Sequence, residues 1–194
     1  MDLKKLVTFG NGKLPKSTII FNMSSATDCT SKRMGQCLCS SKCYAMKAER
    51  LYPQVLPYRN RQNEYWINTN AEQICKDFVA LLSKKRSIPT LFRFNEAGDF
   101  ISQDCIVKLS IIASFLYDNY KIVTYGYTAR KDLDFSKCSF LVKGSGHDNG
   151  NNGQTMVLYK GQEKPTDFVK CPGDCKKCSL CSSTKGINVA FPVH

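Results

Sequence analysis

The sequence predicts an α/β protein: a small mixed or mostly parallel sheet, incomplete-barrel-like, with helices and with cysteine-rich metal-binding segments near both ends. Three observations predict it. A strand-like, a helix-like and a second strand-like segment follow one another between Thr90 and Tyr125, the order that a parallel βα unit requires. Short β-type runs recur downstream, separated by Gly- and Asn-rich chain. Eight of the eleven cysteines crowd into two polar stretches where no apolar pattern accounts for them. At 194 residues and 42% hydrophobic content, the chain has enough apolar material for one core, so 1–194 reads as a single domain.

The elements follow in order. Thr18 to Asn22 is a β-type run after the Gly- and Pro-containing GNGKLPK. Polar chain with the first cysteines comes next, and AMKAERLY after Tyr44 turns helical. Thr69 to Glu72 matches a capping box, and Ile74, Phe78, Leu81 and Leu82 behind it recur at helical spacing. Lys84, Lys85 and Arg86 fall where the last turn would favour cations. Thr90 to Phe94 is a strand that breaks at Glu96 to Asp99. Ser102 can cap a helix whose Cys105, Leu109, Ile112 and Leu116 form an apolar stripe. Lys121 to Tyr125, Ser139 to Val142, Thr155 to Tyr159 and Ile187 to Phe191 complete the strands, with GSGHDNGNNGQ reading as a mobile loop. There is no internal repeat.

Composition bounds the partners and the compartment. No apolar run approaches the roughly 20 residues a bilayer span needs, so a membrane partner is not expected. MDLKKLVTFGNG lacks the pattern of a secretory signal, so the expected location is the cytoplasm. A reducing cytoplasm disfavours disulfides, and metal binding becomes the leading explanation for clustered cysteines. Cys75, Cys105 and Cys138 sit in apolar patterns and read as core. The net charge of +12 points to an anionic partner, a nucleic acid or nucleotide.

The sharpest signal is KCPGDCKKCSLC. Cys171, Cys175, Cys178 and Cys181 are separated by three, two and two residues, so 171–181 is a loop able to wrap four thiolates around one centre. Zinc sites usually join two separated knuckles, whereas one loop supplying all four ligands suits a 4Fe-4S cluster. The first three cysteines also show the CxxxCxxC spacing of radical-SAM enzymes, but Cys181 is placed to occupy the open position that those enzymes keep. A second segment, 29–43, carries Cys29, Cys37, Cys39 and Cys43 at looser spacing, for which zinc or iron-sulfur ligation, or ligation joined to the first group, is expected. His147 and His194 are further candidate ligands, weaker because each stands alone.

A candidate reaction centre lies in RFNEAGDF. Ligands of α/β sheets bind beyond the carboxyl ends of strands, where Arg93 could hold an anion and Glu96 or Asp99 could act as acid, base or nucleophile. YGYTAR, at Tyr125 to Arg130, ends the following strand and could line the same pocket. The alternative is an internal ion pair with a Gly-Asp turn capping the next helix.

KLP near the start, CYA at Cys43 to Ala45, FRFNEAGDF, YTAR and the closing cysteine cluster followed by VAFPVH together resemble the bacteriophage gene product eighty-eight-like family, over nearly the whole chain. The resemblance implies a phage-encoded protein, acting in the host cytoplasm, whose cysteines bind a metal centre. It supplies no reaction. Relatives often carry His where this chain has Asn95, so a proton-transfer role for that histidine does not carry over. Zinc-bearing transglycosylases that exchange guanine for deazaguanine bases also combine an α/β barrel, aspartates and a cysteine cluster, an analogy at the level of fold. The expected function is an iron-sulfur protein with a redox or nucleic-acid-linked role. The alternatives are a zinc-stabilised nucleic-acid-binding module, or a nucleotide-modifying enzyme using Asp99 or Glu96 with a structural metal.

Overall fold

The computed structural model describes residues 2–38, 42–182 and 186–192. Eight strands form one sheet in the order β1-β2-β3-β4-β5-β6-β8-β7, larger than the small sheet expected. They are β1 (Thr8–Phe9), β2 (Thr18–Phe21), β3 (Leu91–Phe94), β4 (Val123–Thr128), β5 (Leu141–Ser145), β6 (Gln154–Leu158), β7 (Phe168–Lys170) and β8 (Asn188–Pro192). β1 runs antiparallel to β2, and every other described pairing is parallel. β1 and β7 form the two ends of the sheet. No described helix is long and apolar enough to cross a membrane.

Five α-helices accompany the sheet among the described residues: α1 (Thr30–Arg33), α2 (Tyr44–Leu51), α3 (Val55–Asn68), α4 (Ala71–Leu82) and α5 (Gln103–Tyr120). Side chains alternate across a strand, and here the alternation sorts the sheet into two unlike faces. Ile19, Phe21, Phe92, Phe94 and Val142 share one core with Tyr65 and Trp66 of α3, Ile74 and Phe78 of α4, and Leu109, Ile112 and Leu116 of α5. Burying each such side chain contributes about 1.5–3 kcal/mol. Gly126 makes this packing fit, because a Cβ there would stand 2.4 Å from the Phe94 ring.

The opposite face is polar. Ile20 aligns with Arg93 and Arg93 with Tyr125, while Tyr127 aligns with Lys143. Alternation places these residues away from the helical core. The β7–β8 connection, 171–187, lies against this face and contains neither helix nor strand among its described residues.

Several boundaries differ from the sequence expectation for local reasons. The cap of α4 is Asn70, whose side chain accepts from the Gln73 amide at 2.8 Å. Thr69 is not available for that role because it already closes α3, its amide bonding to the Tyr65 carbonyl. The helix ends at Leu82, so Lys84, Lys85 and Arg86 lie beyond the last turn. Lys121 closes α5 in the left-handed region at φ 57°, which delays β4 to Val123. Ser102 stands at the start of α5 without a capping side-chain bond. The core assignments of Cys75 and Cys105 hold, and Cys138 packs half-buried against the same core.

Candidate functional site

The acidic motif after β3 divides into two parts. Asn95 takes φ 50°, a conformation Asn tolerates better than most residues, and its side-chain oxygen accepts from the Met23 amide. Gly98 has φ 71°, and a Cβ would collide with Ser24 at 2.1–2.8 Å. This turn delivers Asp99 into the interior, where it is 3% exposed. Its carboxylate accepts from Thr128 Oγ1 at 2.7 Å and from the Phe100 and Ala129 amides at 2.8 Å each. Ser31 of α1 bonds to it as well. Burial pushes its pKa up, against these hydrogen bonds. Asp99 thus ties the ends of β3 and β4 to α1, with its acceptor positions occupied. Glu96 is half-buried, accepts from Asn11 Nδ2 at 2.5 Å, has its carbonyl accepting from the Tyr44 hydroxyl, and lies within electrostatic reach of Arg93 and Tyr125.

Arg93 faces a different environment. It is 7% exposed, with its guanidinium 4.1 Å from the Tyr127 ring centroid and 5.5 Å from that of Tyr125. Its buried NH1 has no hydrogen-bond partner, and it forms no ion pair among the described residues. A second buried cation stands nearby. Lys143 is fully buried, and its Nζ donates to the Asn152 and Ile187 carbonyls at 2.6 Å each. Burial lowers the Lys143 pKa, while the charge of Cys181 acts in the opposite direction. Of the YGYTAR segment, Tyr125 and Tyr127 therefore join Arg93, whereas Thr128 and Ala129 hold Asp99.

The cysteine loop comes to this cationic face. Cys175 lies within electrostatic reach of Cys171, Cys178, Cys181 and Arg93. Cys181 lies within electrostatic reach of Tyr127, Arg93, Lys143 and Cys171. Burial pushes the thiols of Cys175 and Cys181 up, and neighbouring cysteines add to the shift. Burial also moves Tyr125 to about 12 and Tyr127 well above the ordinary phenol range, so both keep their protons.

A family model described as Gene product 88 matches residues 3–149. The chain belongs to the Gene product 88 family. It is a family of phage gene products. No curated protein and no solved structure matches the chain. The matched segment includes Arg93, Glu96, Asp99, Tyr127, Lys143 and the 29–43 cysteines, and it ends in the chain between β5 and β6. The quartet at 171–181 lies beyond it, so the match is shorter than the near-complete resemblance read from the sequence.

Within the family segment, the described cysteines of the first group stand around α1 and at the start of α2. Cys29 is buried, with its sulfur 3.2 Å from Ser31 Oγ and within electrostatic reach of Cys37 and Asp99. Cys43 instead caps α2 and packs with Ala26, Ala45, Ala97 and Met46. Cys39 lies outside the described residues, as does His194. His147 has Nδ1 3.3 Å from the Ser145 carbonyl and a buried Nε2 without a partner. Among the described residues, no group of three or more His, Cys, Asp or Glu side chains is arranged to hold a metal ion. Cys29, Cys75, Cys105, Cys171, Cys175, Cys178 and Cys181 form no disulfide among the described residues. Lys143 went unnoticed in the sequence, although a lysine inside the LVKGS strand was the available signal.

Proposed function

We propose that this protein is an iron-sulfur protein of the phage-infected cytoplasm. It would hold one 4Fe-4S cluster through Cys171, Cys175, Cys178 and Cys181 and serve a redox role. The observation that carries the reading is Arg93, a buried cation with an unpartnered NH1 and no ion pair among the described residues, beside Cys175 and Cys181. Glu96 acts on Arg93 through space without an ion-pair contact, and a buried charge that lacks a contacting counter-charge is costly. Neutral thiols offset little of that, whereas ligation removes their protons and supplies the missing negative charge. Lys143 contributes a second buried cation to the same face.

Four thiols on one loop with short spacers match a cluster better than a single zinc ion. The described part of 171–187 is irregular chain. Once bound, the cluster would supply one-electron chemistry. The protein would ligate it, exclude water on the Tyr127 side and offset its charge.

The test is anaerobic purification from iron-replete cells. A brown protein with about four irons per chain and absorption near roughly 400 nm is expected, and Cys178→Ser should lose iron while keeping its circular dichroism. A colourless chain holding stoichiometric zinc overturns the reading.

A further inference from the structure

We infer that the outward face of α2, together with Tyr159 at the end of β6, binds single-stranded nucleic acid, with Tyr44 and Tyr159 stacking bases and Lys42, Lys47 and Arg50 meeting phosphates. This surface does not involve the 171–181 quartet, and it stands whether or not those thiols take iron. Between Asp28 and Glu64 the chain carries seven Lys and Arg residues and a single acid, Glu49. These 35 residues thus hold a net +6 (seven minus one), half of the +12 of the whole chain. Glu49 is buried against Arg59 at 2.8 Å, so it offsets nothing at the surface. Arg33, Lys42, Lys47, Arg50 and Arg61 are all exposed. Such a concentration of cations favours a polyanion through counterion release.

Helix α2 sorts its residues by side. Ala45 and Glu49 are buried, while Tyr44, Lys47 and Leu51, at i, i+3 and i+7, share the outward face. Tyr44 is 61% exposed, yet its ring is held in place, because its hydroxyl donates to the Glu96 carbonyl just beyond β3. Tyr159 lies just beyond β6 and is 48% exposed, with the Lys42 ammonium 5.3 Å from its ring centroid. β3, β4, β5 and β6 run parallel, so both rings stand at the carboxyl end of the sheet, where α/β proteins take their ligands. The ends of β3 and β6 are three strand spacings apart, about 14 Å. Two aromatic faces with cations alongside suit a single strand, since every base offers a π-face and the phosphates follow the cations. A duplex hides its base faces inside the stack, so exposed rings select single strands.

The test is fluorescence anisotropy of the full chain with a labelled oligothymidylate of about 12 nucleotides, across a salt series. The matching oligouridylate and a duplex serve as comparisons, and both single strands should bind more tightly than the duplex. Tyr44→Leu and Tyr159→Leu should each weaken binding by about tenfold or more, whereas Tyr44→Phe, which keeps the ring, should lose less. Lys47→Gln should reduce the salt slope by about 0.7, the value of one phosphate contact to a single strand. Lys84→Gln, in the chain between α4 and the amino end of β3, should leave affinity and slope unchanged. Tyr44→Leu and Tyr159→Leu proteins that keep their circular dichroism and bind like the wild type overturn the inference. So does duplex binding equal to that of the single strands, or a Lys84→Gln loss equal to that of Lys47→Gln, since either means charge alone. Tight single-strand binding by a chain that takes no iron overturns the proposed function and supports this surface.

Discussion

At the scale of single residues, two buried carboxylates illustrate how charge is held without a reaction. Asp99 accepts from Thr128 Oγ1 and from the Phe100 and Ala129 amides, and all three are donors. Asp99→Asn would aim an amide N–H at one of them. The expected result is a loss of about 1–3 kcal/mol, read as a lower midpoint in denaturant. Glu49 accepts from Arg59 at 2.8 Å and from the Ala26 and Thr27 amides. Burial alone would raise its pKa, but the Arg59 bond and the amides outweigh it and hold the carboxyl below its usual range. A depressed carboxylate stabilises the fold above its unfolded pKa of about 4.3, and that stability is lost as pH falls through the lower folded value. Glu49→Gln leaves Arg59 buried and unpaired, at a cost of about 3–5 kcal/mol near neutrality. Denaturation of both proteins across pH 3–7 should show the gap closing at the acid end.

At the scale of elements, what could be read from the sequence follows from what is locally encoded. The β3–α5–β4 unit was legible because Leu109, Ile112 and Leu116 repeat at helical spacing between two β-type runs. α3 was not, because its buried residues include Arg59 and Gln62, which look like surface until Glu49 and Asn22 supply their partners. β7 has only three residues with one buried, too little pattern to register. The same limit applies to the site. The quartet is visible in its spacing, but the cationic face it meets is assembled from Arg93, Tyr127 and Lys143 on three strands, and only pairing brings them together. Gly126 tests the element directly. With a Cβ 2.4 Å from the Phe94 ring, Gly126→Ala should overpack β4 against the core and lose about 1–3 kcal/mol, measured as a fall in Tm.

At the scale of the whole molecule, the two faces of the sheet depend on different sources of stability. One face is closed by α3, α4 and α5 through a continuous apolar core. The other carries the buried cations Arg93 and Lys143 and is met by chain with half-buried thiols. The core belongs to the family segment, 3–149, while β6, β7, β8 and the cysteine loop follow it. Metal binding to a site that is not preformed contributes its free energy to folding of that site, so the proposed cluster should stabilise the later strands more than the core. β7 is short, at the end of the sheet, and joined to β8 through the cysteine loop. Removing iron with a chelator should therefore speed amide hydrogen exchange in 168–170 and 188–192, and leave α4, α5 and β3 as protected as before. Uniform loss of protection would mean that the metal stabilises the entire domain. Unchanged exchange at β7 and β8 would show that the edge of the sheet stands without it.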